Sequence, residues 1–253
     1  MLSVEAISRR VACIGLLAAG ACASIPTTPV SLPDGFVRLR SVAPTIVQDI
    51  RYASANNFLG RRVDGYEAAE CILARPAAEA LARVQAELSD QGLVLIVFDC
   101  YRPQRAVDDF VGWSETQEVR TKHVYYPNLQ KENLFKEGYI ARRSGHSRGS
   151  TVDLALAKQN TSYLSTQPKD IPCTDFTGAA RSDDYLDFGT AYDCFDTLSN
   201  TDDPRIQGGA AQNRARLVEI MKAEGFVNYP LEWWHFTYQP EAFPDQYFDF
   251  RIE

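Results

Sequence analysis

Histidine is scarce in this chain, with three among 253 residues, and two of the three stand in strings suited to a metal. His146 lies in Ser144-Gly145-His146-Ser147-Arg148-Gly149-Ser150-Thr151-Val152-Asp153, and His235 ends Glu232-Trp233-Trp234-His235. The strings supply two imidazoles, an aspartate seven residues after the first and a glutamate three residues before the second. That is the donor set of a catalytic zinc site with a general base beside it. Such a zinc takes three protein ligands and keeps one position for water. A fold that uses His146, Asp153 and His235 together must join segments far apart in sequence.

The seven-residue separation is not helical. It suits a turn through Ser147-Arg148-Gly149 leading into a strand that carries Asp153, with Gly149 freeing the backbone to make the turn. Glu232 need not be a ligand. Beside the metal it can take a proton from water and later give it to a leaving amine. Each residue also has a plainer reading: a hydrogen-bonded structural histidine, a solvent-facing aspartate, a surface or capping glutamate. The combination decides for the metal. His123, in Thr121-Lys122-His123-Val124, lacks acidic company and reads as structural.

Two further strings carry candidate residues. In Asp99-Cys100-Tyr101-Arg102-Pro103, at the end of an apolar strand, Arg102 is placed to stabilise a developing oxyanion or grip a carboxylate. The alternative is an arginine paired with Asp99 for structure. In Asp187-Phe188-Gly189-Thr190-Ala191-Tyr192-Asp193, a turn held by Gly189 is the simple reading, and Asp193 as a contact for a substrate ammonium is the functional one.

The leader limits the compartment. Arg9 and Arg10 precede the apolar run Val11 to Ala23, too short to span a bilayer. Residues 1–23 read as a signal peptide and residues 24–35, with Pro26, Pro29 and Pro33, as a linker. Ala21-Cys22-Ala23 suits ordinary cleavage, while Leu17 to Cys22 resembles a lipoprotein box that would put a lipid anchor on Cys22. Export places the remaining domain, residues 36–253, in an oxidising compartment, the periplasm. Its four cysteines allow three pairings. Cys173–Cys194 is preferred because it staples a polar, loop-rich stretch, which leaves Cys71–Cys100. A formal net charge of -7 gives a nucleic-acid partner no electrostatic basis.

The apolar pattern predicts a helix from Pro76 to near Gly92 with Ala77, Leu81, Val84 and Leu88 on one face. A buried strand follows over Leu93 to Phe98, then a helix from Pro103 with Ala106, Val107, Phe110 and Val111 inward. Ser114 to Arg143 reads as loops with short helical turns. Thr151 to Ala157 reads as a strand with Val152, Leu154 and Leu156 facing the core and Asp153 on the opposite, roomier face. Residues 158 to 211 are loop-rich. A helix from Gln212 to Glu224, closed by Gly225, precedes two strands, Phe226-Val227 and Trp234 to Tyr238. Strands and helices are segregated, which predicts an α+β fold with an antiparallel central sheet and flanking helices.

These strings resemble the zinc D-alanyl-D-alanine dipeptidases within the D,D-peptidase and hedgehog-like group. The pattern S-x-H-x-x-G-x-x-x-D is met from Ser144 to Asp153, and Asn56-Asn57-Phe58-Leu59-Gly60 and Tyr101-Arg102-Pro103-Gln104-Arg105-Ala106-Val107 point to the dipeptidase branch. The resemblance implies one zinc on His146, Asp153 and His235. It further implies Glu232 as base and acid, Arg102 as transition-state stabiliser, Asp193 near the substrate amine and Ser144 in the pocket. Thr151, Phe188 and Tyr192 stand where Ala, Met and Phe are usual, and Thr197-Leu198-Ser199-Asn200 departs further. The expected substrate is the free dipeptide D-Ala-D-Ala. A D,D-carboxypeptidase or endopeptidase on peptidoglycan stems and a non-catalytic zinc-stabilised binding module are the alternatives.

Overall fold

The computed structural model describes residues 31–159, 171–175 and 185–253, and the compact unit spans Leu32–Glu253. The signal peptide and most of the linker read from the sequence lie outside the described residues. In chain order the elements are β1 (Phe36–Arg38), α1 (Leu39–Val42), β2 (Val47–Gln48), β3 (Ile72–Ala74), α2 (Arg75–Ser89) and β4 (Leu93–Asp99). They continue with α3 (Gln104–Ser114), α4 (Lys122–Tyr125), β5 (Thr151–Lys158), α5 (Gly208–Ala223), β6 (Phe226–Asn228) and β7 (His235–Tyr238).

The α+β fold is the one expected. Its main sheet has the order β2-β4-β5-β7-β6, and β1 pairs with β3 in a separate two-stranded sheet. All neighbours in the main sheet are antiparallel except β2 and β4, which run parallel, so the sheet is mixed. The parallel pair could not be read from sequence because β2 is two residues long and carries no periodicity of its own.

Burial follows chemistry closely in the centre. β4, Leu-Val-Leu-Ile-Val-Phe-Asp, is buried at every position, as an apolar run without alternation requires. Helix α2 carries Pro76 in its first turn, where the fixed φ suits the helix, and buries Ala77, Leu81, Val84 and Leu88. From that helix, buried Gln85 accepts a hydrogen bond from Leu95 N at 2.8 Å, satisfying a backbone donor along the stretch of β4 that short β2 does not pair. In α3 the inner face is Ala106, Val107, Phe110 and Trp113, while Val111 is only half-buried. Trp113 lies three residues beyond Phe110, so the larger ring takes the inward place that the sequence assigned to valine.

Two expectations need correction. Helix α5 begins at Gly208, four residues before Gln212. Its first residues, Gly-Gly-Ala-Ala, lack both a side-chain cap and an apolar period, which hid the start. Strand β5 is buried from Thr151 to Ala157 on both faces, so the small residues beside Asp153 serve close packing as well as leaving room.

Both expected disulfides are present, Cys71–Cys100 and Cys173–Cys194. Cys71 precedes β3 and Cys100 follows β4, so the first bridge ties the small sheet to the end of the central strand. With a sequence separation of 29, the chain-entropy relation gives about 3–4 kcal/mol of stabilisation. The double variant Cys71→Ser/Cys100→Ser is therefore expected to melt about 10 °C lower in a scanning-calorimetry comparison. An unchanged midpoint would contradict the assigned contribution.

Candidate active site and metal centre

Three local devices bring the metal-type residues together. The first is a short 3-10 turn, Gly145–Arg148, on which His146 sits. Ser144 caps the turn by accepting from His146 N at 3.2 Å. Gly149 ends it at φ 80°, and a Cβ built there would lie 2.3 Å from the Phe36 ring. Only glycine suits both the left-handed backbone and the close ring. The second device is strand pairing. Asp153 on β5 is directly opposite His235 on β7, which puts their side chains on one face. The third is a β-bulge. Val97 pairs with Leu154 and Asp99 with Asp153, so Phe98 is the extra residue. Without it, Phe98 rather than Asp99 would face Asp153.

The donor atoms converge tightly. Asp153 Oδ1 lies 3.3 Å from His146 Nε2 and 3.1 Å from His235 Nδ1, and the two nitrogens are 3.3 Å apart. His146 Nδ1 donates to the carbonyl oxygen of Cys100 at 2.7 Å, which leaves Nε2 as the ring nitrogen facing Asp153 and His235. Asp153 Oδ1 is buried and has no hydrogen-bond partner. Three converging lone pairs, one on an orphaned carboxylate oxygen, fit a divalent cation of the kind that two imidazoles and a carboxylate bind. The charges reflect the crowding. Burial opposes ionisation of Asp153, but His146 and then His235 outweigh it and hold the carboxylate below the usual range. Burial works against the protonated His235 ring, and Asp153 more than offsets it, so the net shift is upward.

Glu232 lies in the turn before β7, its Oε2 3.4 Å from His235 Nδ1. Asn228 Nδ2 donates to the carbonyls of both Glu232 and His235 at 3.1 Å, fixing that turn. Burial pushes the Glu232 carboxyl up to about 7, with His235 and Arg102 pulling down and Asp153 adding to the rise. A group poised near neutrality suits proton transfer in both directions.

Arg102 makes the structural pair with Asp99 and also faces the cavity. Its Nε and one terminal nitrogen grip Asp99 Oδ2 at 2.9 and 2.8 Å, and Tyr66 donates to Asp99 Oδ1 at 2.6 Å. The same guanidinium lies 3.8 Å from Asp153 Oδ2 and 3.5 Å from Ser144 Oγ. Arg102 thus sits between two facing carboxylates and also on the cavity wall.

That cavity has a volume of about 210 Å³. Arg102, Ser144, His146, Asp153, Asp193, Glu232 and His235, all the candidate site residues, line it. Asp193 has φ 59°, a left-handed conformation that aspartate tolerates better than most residues. Its carboxylate is buried and faces Tyr52 OH at 3.0 and 3.1 Å. Burial first, and the nearby Asp153 next, push its carboxyl well above the usual range. A cationic group entering the cavity would relieve that penalty.

The pattern of the peptidase M15 family, described as D-Ala-D-Ala dipeptidase, matches residues 33–167 and 175–253. The chain belongs to the peptidase M15 family. It is 40% identical to a D-alanyl-D-alanine dipeptidase of Streptomyces coelicolor over 205 residues, covering 81% of this chain and 91% of the relative. It is 35% identical to the enzyme of that name from Enterococcus faecium over 220 residues, covering 87% and 98%. Against the Escherichia coli protein of the same name identity is 28% over 200 residues, covering 79% and 82%. Peptidases of this family depend on a metal, and the His/Asp/His group here is placed to hold one.

Sequence reasoning gave no role to three tyrosines. Tyr52 and Tyr66 hold the carboxylates of Asp193 and Asp99, and Tyr192 OH lies 3.2 Å from Asp153 Oδ2. Tyrosine is common enough, at 12 residues, that no local signal separates these from core rings. Gly149→Ala is expected to lose about 2–4 kcal/mol, from the left-handed backbone and the overlap with Phe36, read as a lower denaturation midpoint. Equal stability would show that the turn carrying His146 does not need glycine.

Proposed function

We propose that the protein is a zinc dipeptidase that hydrolyses D-Ala-D-Ala to two molecules of D-Ala. The observation that carries this reading is the orphaned, buried Oδ1 of Asp153 between two imidazole nitrogens, with a carboxyl poised near neutrality beside them. Zinc held by His146, Asp153 and His235 would supply a Lewis acid for the scissile carbonyl and bring the pKa of water to about 7. Relatives named D-alanyl-D-alanine dipeptidase, similar over most of their length, support the substrate.

Within this reading the residues divide the work. Glu232 accepts a proton from the attacking water on its carboxylate and delivers it to the departing amine. Arg102, locked by Asp99, meets the negative charge that develops on the carbonyl oxygen, with no reorientation needed when it forms. Asp193 receives the substrate ammonium. Ser144, whose Oγ faces both Arg102 and the His146 turn, contacts the substrate at the cavity wall. A small cavity with fixed charges favours a free dipeptide, because a longer stem would leave a buried charge unpaired.

The apolar leader and two disulfides support export, with action on wall-derived dipeptide in the periplasm. An enzyme outside the cytoplasmic membrane turns over or scavenges the dipeptide and does not deplete the cytoplasmic pool.

The decisive experiment is release of D-Ala from the free dipeptide by purified protein, with and without a chelator. Activity is expected, lost on chelation and restored by zinc; persistence without metal would sink the reading. Glu232→Gln should lower kcat by about 10²–10⁴-fold while zinc is still bound. Retained turnover would remove Glu232 from proton transfer. A pentapeptide stem ending in D-Ala-D-Ala should be cleaved far more slowly than the dipeptide, and the reverse order would favour a D,D-carboxypeptidase.

A further inference from the structure

We infer that Tyr192 is a positioning residue for the metal: its hydroxyl orients the Asp153 carboxylate and thereby raises the affinity for zinc. The inference rests on the metal-site reading above and concerns a side chain that the reading does not use.

The geometry is specific. Tyr192 OH donates to Asp153 Oδ2 at 3.2 Å, which is the one hydrogen bond to that carboxylate among the described residues. The Arg102 guanidinium stands farther off, at 3.8 Å from the same oxygen. Rotation of a carboxylate about its terminal bond is soft, with broad and roughly two-fold preferences. Left to itself, Asp153 could turn either oxygen, or neither squarely, toward the imidazoles. A donor fixed on Oδ2 removes that freedom and leaves Oδ1 facing His146 and His235.

The donor itself cannot wander. Tyr192 is 2% exposed. Its ring stacks on Phe98 at 4.6 Å and meets the edge of Trp234 at 5.5 Å. Arg51, salt-bridged to Asp49, lies 5.9 Å over the same ring. The neighbouring Cys173–Cys194 bridge anchors the backbone two residues on. Tyr192 OH also lies 3.3 Å from Tyr52 OH, which has its own acceptor in Asp193. A phenol has one proton to give, and the charged carboxylate is the stronger acceptor. The hydroxyl is therefore committed to the metal ligand, and Tyr52 stands between it and Asp193.

Groups that hydrogen-bond a metal ligand pre-orient it, and their loss commonly costs about 10- to 100-fold in affinity. The test is Tyr192→Phe, which removes one oxygen and keeps the ring packed on Phe98. Zinc affinity is measured by competition with a chromophoric chelator, and thermal melting is followed for the metal-free and zinc-loaded proteins. The expected result is a zinc dissociation constant about 10- to 100-fold higher, with the metal-free melting point close to wild type. Unchanged affinity would overturn the inference. So would an equal drop in both melting points, since that would make the hydroxyl a support of the fold and not of the ligand. If wild type itself takes up no zinc, the metal-site reading fails first and this inference falls with it. The chelator titration and the paired melting curves together separate these results.

Discussion

The convergence of Asp153 with two imidazoles in a buried pocket is the interaction around which this structure is arranged. Three lone pairs within 3.3 Å of one another repel unless a cation or a proton lies among them. Burial sharpens the problem, because water cannot screen the donors. The surroundings of the site make sense as means of holding that unfavourable geometry. The cross-strand pairing of Asp153 with His235 fixes two donors on rigid backbone. The glycine-ended turn and the Cys100 carbonyl fix the third.

The same constraint explains why charge is layered outward from the centre. Asp99 is brought opposite Asp153 by a bulge, and two facing carboxylates would repel. Arg102 lies between them, closer to Asp99 than to Asp153. Tyrosine hydroxyls satisfy what remains, Tyr66 on Asp99, Tyr192 on Asp153 and Tyr52 on Asp193. Phenols suit this task because each joins a large apolar body to one polar tip, so they donate without adding charge to a crowded interior. The disulfide between Cys71 and Cys100 holds the chain next to the carbonyl that orients His146, which links global stability to the site.

Much of the site was legible because its residue types are rare or distinctive. With three histidines in the chain, two of them beside carboxylates, the donor set could be named from sequence. Arg102 and Asp193 stood out as charges at the ends of apolar or turn-forming strings. The tyrosines were illegible: their role depends on where a hydroxyl lands, and their rings look like any others in the core. The parallel edge strand, the early start of α5 and the exchange of Trp113 for Val111 were hidden for a related reason. Short or small-residue segments take their structure from neighbours and not from local pattern.

The sequence by itself determined the fold class, the central apolar strand, the principal helices and the His/Asp/His group that the fold brings together. These follow from hydrophobic periodicity and from the scarcity of the donors. Tertiary structure alone decided which oxygen of Asp153 faces the imidazoles, that Arg102 serves Asp99 and the cavity together, and that both faces of β5 are buried. The physical reason is range. Periodicity and composition act over a few residues, whereas a donor distance is set by strands and loops that meet from across the chain.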